Sequence, residues 1–146
     1  MKIKTKFLGE VDIEEKEIIT FSSGLPGFAE YKKYILLALD QDLPIVLLQS
    51  VENESISFVL AFPFAFKPDY AFDLNESDIE ELQVNTQEDI LTYSIVTLKE
   101  TLADSTMNLL APIVINKEKK LAKQIVLNES TVYPLKYPLN NSVGTL

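Results

Sequence analysis

YILLALDQDLPIVLLQSVENESISFVLAF, residues 34–62, decides how the rest of the chain is read. It holds three apolar runs, Tyr34–Leu39, Ile45–Val51 and Ile56–Phe62. The first two are split by Asp40, Gln41, Asp42 and Pro44, the last two by the polar turn at Glu52, Asn53 and Glu54. Short apolar runs bounded by turn residues read as strands joined by hairpins. Working outward, Lys2–Phe7 alternates with period two, and Glu10–Ile13 and Glu17–Phe21 are short strands between acidic turns. Ile90–Leu98 is rich in β-branched and aromatic residues, and Leu109–Ile115 and Leu121–Leu127 flank the charged stretch Asn116–Lys120 as one more hairpin. Only Asn75–Leu82 breaks the rhythm. Its polar cap candidates and first-turn acids predict a short helix, because free N–H groups and the helix dipole attract negative charge. A second helical turn is expected over Phe28–Lys32. The fold class is therefore mainly β: an antiparallel barrel-like or two-sheet domain with one or two short helices.

The chain has 146 residues, enough for one domain with its own core. Residues 1–138 read as that domain. The Pro- and Asn-rich end from Tyr133 is expected to strap the surface or fray, with 139–146 as a tail. Hydrophobic residues make up 47%, which argues against disorder. Cysteine and histidine are absent, and all 13 basic residues are Lys. Against 22 acids the net charge is −9. A chain without Arg lacks the planar fork for bidentate phosphate or guanine recognition. Strong negative charge also repels nucleic acid and anionic membrane. A basic protein partner, or simple solubility, fits the balance better. Met1 is followed by a strand pattern in place of a signal peptide, and no apolar run approaches the roughly 18 residues of a membrane helix. A cytoplasmic location is the expectation.

Chemistry is hard to write with these residues. Gly stands only at positions 9, 24, 27 and 144, so neither a dinucleotide-binding loop, a P-loop nor a nucleophile elbow can be formed. The usual nucleophile–base pairs need His or Cys. A Ser–Lys pair or a carboxylate dyad stays formally open. Asp73, Asn75 and Ser77 alternate as in a calcium loop, but Asp78 replaces the required Gly and Val84 the bidentate Glu. No cofactor and no metal is expected.

Three features suggest a binding surface. From Pro68 to Leu98 there are eight acids and no Lys, among them Asp73, Glu76, Asp78, Glu80 and Glu81. Lys clusters elsewhere, mainly Lys117, Lys119, Lys120, Lys123 and Lys136. A one-signed patch speeds association with an opposite-signed partner by about 10–10³. A solvated helix face explains the same residues without function. The second feature is the aromatic run, where Phe62, Phe64 and Phe66 would share one strand face. Core is the bland reading. Pro63 and Pro68, however, place the run at an edge, where a second chain could add. The third is Ser22–Phe28, a Gly-Pro-Gly loop whose Leu25 and Phe28 either anchor it on the core or form an apolar tip.

At these residues the chain resembles the flagellar assembly factor FliW family. The markers are FSSGLPGF (21–28), LLQSVE (47–52), PFAFKPDYAFDL (63–74), IEELQV (79–84), NLLAPIVIN (108–116) and QIVLN (124–128), in that order. Related sequences often place Asn where this chain has Phe62. The resemblance implies a compact, mainly β, non-enzymatic domain. It implies two partners: cytoplasmic flagellin and the translational repressor CsrA, a basic RNA-binding dimer. Flagellin would occupy the protein until export releases it to bind and antagonise CsrA, an antagonism thought to be allosteric. On that basis Asp73, Glu76, Asp78, Glu80 and Glu81 are candidates for CsrA, and Leu25, Phe28, Phe62, Phe64 and Phe66 for flagellin. A monomer with no direct nucleic-acid or membrane contact is expected. The alternatives from the residues alone are a β-barrel holding a small apolar ligand, and a carboxylate-based enzyme.

Overall fold

Alternating apolar runs cut by polar turns give eleven strands in the computed structural model, which describes residues 1–39, 44–127 and 133–139. They are β1 (Lys2–Lys4), β2 (Glu10–Asp12), β3 (Ile19–Phe21), β4 (Lys33–Ala38), β5 (Ile45–Ser50) and β6 (Ser57–Ala61). The chain continues with β7 (Ile90–Thr97), β8 (Thr106–Met107), β9 (Ile113–Asn116), β10 (Leu121–Gln124) and β11 (Tyr137–Pro138). Two short helices, α1 (Pro63–Phe66) and α2 (Glu76–Leu82), lie between β6 and β7. Residues 40–43, 128–132 and 140–146 fall outside the described residues, and with them the β4–β5 connection and Asn128.

Seven strands close on themselves in the order β3-β4-β5-β6-β7-β9-β10 and back to β3. The pairings are antiparallel except β10 with β3, which run parallel. The expected barrel-like fold is what forms. β1 and β2 make a separate hairpin, and β8 and β11 extend the sheet beyond β7. Neither two-residue strand was legible beforehand: Thr106–Met107 and Tyr137–Pro138 are too short to show a period.

Successive side chains of a strand face opposite ways. Each face of the wall therefore carries its own apolar cluster. Phe21, Tyr34, Leu48, Leu60, Ile113 and Ile115 form one, which also takes in Leu25. Leu47, Val59, Ala61 and Val114 form the other, joined by Phe66, Tyr70, Leu82, Leu109 and Leu139 from segments outside the barrel. Leu139, first residue of the expected tail, is thus core.

Two local expectations are corrected. Phe62–Phe66 is not a strand face. The Phe62 N–H donates to the Pro44 carbonyl at 2.9 Å, then Pro63 has no donor and β6 stops. The fixed φ of Pro63 suits the first position of a helix, and α1 begins there. Phe28–Lys32 is not helical. It turns twice, with Phe28 N–H on Leu25 O (2.7 Å) and Tyr31 N–H on Phe28 O (3.0 Å). The Gly24 and Gly27 φ angles of +68° and +84° shape that loop.

Candidate partner-binding surface

α2 is where the acids gather, and its start is as the sequence predicts. Asn75 Oδ1 accepts the Asp78 N–H at 2.8 Å, and Glu76 and Asp78 occupy the first turn. The helix ends at Gln83, whose φ of 55° is left-handed. Asn116 holds that end, its Nδ2 donating to the carbonyls of Leu82 (2.9 Å) and Gln83 (3.1 Å). A seven-residue helix is too short to stand alone, so such ties matter.

The five acidic candidates do not form one exposed patch. Asp78 is buried, with 5% exposure, and Lys123 on β10 reaches it at 2.7 Å. The same ammonium meets Glu81 Oε2 at 2.7 Å, and Ser23 Oγ donates to Glu81 Oε1 at 3.3 Å. Asp73, Glu76 and Glu80 are exposed and have no salt bridge among the described residues. Lys123 is thus not segregated from the acids, as its place in a Lys-rich stretch suggested. The parallel closure of the barrel carries β10 alongside α2. The Lys123 hydrogen bond holds Glu81 below its usual carboxylate value, and Asp78 and then Glu81 hold Lys123 above the usual lysine value. A carboxylate kept ionised in this way is unsuited to general-acid work near neutral pH. Among the described residues no group of three His, Cys, Asp or Glu could hold a metal ion. No described helix is long and apolar enough to cross a membrane.

The aromatic run builds one side of a cleft of about 820 Å³. Phe62, Phe64, Phe72 and Leu74 line it, facing Ile79 and Val84 from the α2 side and Ile90, Leu91 and Thr92 from β7. Phe62 and Ile79 remain 40% and 37% exposed. Edge-to-face packing orders the aromatic side: Phe62 on Phe64 at 5.4 Å, and Tyr70 on Tyr133 at 4.7 Å. Tyr70 is pinned by its hydroxyl, which donates to Leu109 O at 2.6 Å. Asp73 lies in the same lining. Of the exposed acids only Asp73, which the sequence sets within the aromatic run, lines the cleft; Glu76 and Glu80 do not.

The other apolar candidates go elsewhere. Phe66 is buried in the core, and Leu25 is buried among the barrel side chains. Phe28, 36% exposed, packs edge-on against Phe58 at 5.3 Å. None of the three lines the cleft. Ile79, Val84 and the β7 residues were missed by sequence reasoning. Ile79 stands among acids that mark a solvated helix face, so its place in the cleft wall is not legible in the sequence.

Two of the marker motifs, at 47–52 and 108–116, hold turns. Gln49 is fully buried. Its Oε1 accepts the Lys6 N–H at 3.0 Å, and its Nε2 faces the carbonyls of Ser50, Ile56 and Glu54 at 3.0, 3.1 and 3.2 Å. Ser50 Oγ accepts from the Glu52 and Asn53 amides, and Glu52 accepts from Lys32 and Lys33. Asn108 Oδ1 accepts from Leu110 and Ala111.

Barrel, cleft and unpaired acids together define a mainly β domain whose accessible features suit binding. The profile of the family described as FliW protein matches residues 2–139. The flagellar assembly factor FliW of Bacillus licheniformis is 47% identical over 139 residues, covering 95% of this chain and 96% of that protein. Its counterpart from Bacillus subtilis strain 168 is 44% identical with the same coverage. A crystal structure of the flagellar assembly factor FliW superposes with a TM-score of 0.90 at 42% identity, covering 95% of this chain and 96% of that one. The chain belongs to the FliW family, and membership supports a role in flagellar assembly.

Proposed function

We propose that this protein is a cytoplasmic regulator of flagellar assembly that binds flagellin and, once released, binds and antagonises CsrA. The observation that carries the reading is the side-by-side placement of an apolar cleft and unpaired carboxylates in a chain of this family. The cleft, with Phe62 and Phe64, suits the apolar stripe of an amphipathic flagellin segment. Asp73, Glu76 and Glu80 suit a basic protein. With no Arg and a net charge of −9, the chain would act on CsrA and not on RNA. Exchange then requires that each partner lower the affinity for the other by the same factor. The experiment is capture of purified CsrA on the immobilised protein, repeated with rising flagellin. Displacement of CsrA supports the reading. Failure to bind either protein at modest ionic strength overturns it. Glu76→Lys/Glu80→Lys should weaken CsrA binding and flatten its salt dependence, and unchanged values would remove those acids from the site.

The size of the cleft favours one second reading, since 820 Å³ falls in the range of small-molecule pockets. A small apolar ligand there would be displaced by flagellin but would be indifferent to Glu76→Lys/Glu80→Lys.

A further inference from the structure

We propose that Lys123 is a positioning and specificity-determining residue: its ammonium clamps α2 onto the barrel, so that one side chain sets both the cleft wall and the number of free acids. This rests on the functional reading above and adds to it. α2 supplies Ile79 to the cleft, and Val84 follows just beyond its end. The helix is fastened at four points. Leu82 is buried in the core, Asn116 takes the C-terminal carbonyls, Ser23 donates to Glu81, and Lys123 grips Asp78 and Glu81 from β10. Only the last tie is ionic, and only it acts one helical turn before the end. Among the described residues no other cation comes within ion-pair range of Asp78 or Glu81.

The two consequences of removing it have opposite signs. Without the ammonium, Asp78 is a buried carboxylate with no counter-charge, and such a group is relieved by moving outward to water. α2 then shifts or frays, and Ile79 leaves its place opposite the aromatic side. An apolar occupant of the cleft loses a wall. At the same time Asp78 and Glu81 join Asp73, Glu76 and Glu80 as free charges, which strengthens attraction to a cationic partner. Lys123 thereby favours the apolar partner over the basic one.

The test measures binding of flagellin and of CsrA by the full chain and by Lys123→Met and Lys123→Arg. For Lys123→Met, flagellin affinity should fall roughly tenfold, a typical size for conformational coupling. CsrA affinity at low salt should rise about threefold, the scale of an exposed ion pair, and the salt dependence should steepen. Lys123→Arg keeps the charge and should restore most of both. Amide exchange separates a local effect from unfolding: Ile79–Gln83 should lose protection while β9 keeps it. A parallel loss of both affinities, or no change in either, overturns the proposal. Should Lys123→Met fold poorly, Asp78→Asn/Glu81→Gln/Lys123→Gln removes all three charges together. With the tie gone but no buried carboxylate to expel, flagellin affinity should fall by less than tenfold and CsrA affinity should not rise, and wild-type flagellin affinity or a CsrA gain in that variant overturns the clamp. If the unaltered chain binds neither partner, the functional reading fails, while the exchange pattern still reports on the clamp.

Discussion

The β3–β6 side of the barrel and the α1–α2 flank treat their polar and apolar groups in opposite ways. On the barrel side Gln49, Ser50 and Glu52 take up the amides and carbonyls of the neighbouring loops, while the buried Tyr34 and Ser57 hydroxyls find no partner among the described residues. On the flank, carboxylates stand without counter-ions and the aromatic and aliphatic groups around the cleft stay partly open to water. The lesson is that the marker runs divide: those at 47–52 and 108–116 fix turns of the scaffold, whereas those at 63–74 and 79–84 supply the cleft wall, where apolar groups stay partly open to water. Buried polar groups that find partners specify a turn. Exposed apolar groups collected in one cleft invite another molecule.

The contrast is broken most severely at the Gly24 loop. A Cβ there would come within 2.5 Å of the Ala29 Cα, and φ is +68°. Gly24→Ala should lower stability by about 3 kcal/mol, from left-handed strain and overlap with backbone that cannot yield. A urea midpoint within error of the parent would show that the loop shifts freely. Gln49→Leu comes next. It keeps the volume but strands the Lys6 amide and the carbonyls of Ser50, Glu54 and Ile56. A loss of about 2 kcal/mol is expected in chemical denaturation, the cost of unpaired buried backbone groups. Gln49→Leu does not touch the cleft, so flagellin and CsrA affinities of its folded fraction should stay as they were.

The same contrast explains what was legible in the sequence. Alternation and turn chemistry reveal β4, β5, β6 and β7 because those strands obey local rules. Asn75 and the acids reveal α2 for the same reason. Over Phe62–Phe66 the period-two pattern points to a strand face, but Pro63 ends the ladder and starts a helix. Lys123 beside Asp78 was invisible, since 45 residues separate them and only barrel closure brings β10 to α2. The cleft was half legible. Its aromatic side is one continuous segment, but its far side is assembled from α2 and β7.

Phe62 lies on the border between the two regions and should give a small effect of mixed sign. It is the N-cap of α1, yet its side chain makes no capping bond. An Asn side chain there would accept from the first helical amides, worth about 1 kcal/mol. Phe62→Asn gives up the ring contacts with Phe64 and Tyr93. The two terms oppose, and the net change in unfolding free energy should stay within about 1 kcal/mol of zero. A larger loss in urea would mean that the ring supports the scaffold and belongs on the barrel side of the comparison.

The smallest expected effect compares one acid from each region. The backbone N–H groups of Lys33 and Lys32 hold Glu52 below its usual value of 4.5. The Lys123 hydrogen bond does the same for Glu81, whose usual value is also 4.5. A folded-state pKa below the unfolded one adds stability above the unfolded value, and that stability is lost as pH falls through the folded value. Stability measured for the parent, Glu52→Gln and Glu81→Gln should therefore differ near pH 6 and converge as pH drops below 4.5. A gap that widens in acid would reverse the assignment. Salt then separates the two regions. In about 1 M NaCl the Debye length falls to about 3 Å, which weakens the half-exposed Glu81–Lys123 attraction. The Glu52 bonds come from amides fixed by the β3–β4 and β5–β6 connections, whose geometry salt does not alter. The Glu81→Gln gap should shrink with salt more than the Glu52→Gln gap. Equal shrinkage would mean that the acid on the barrel side is as ionic in character as the one beside the cleft.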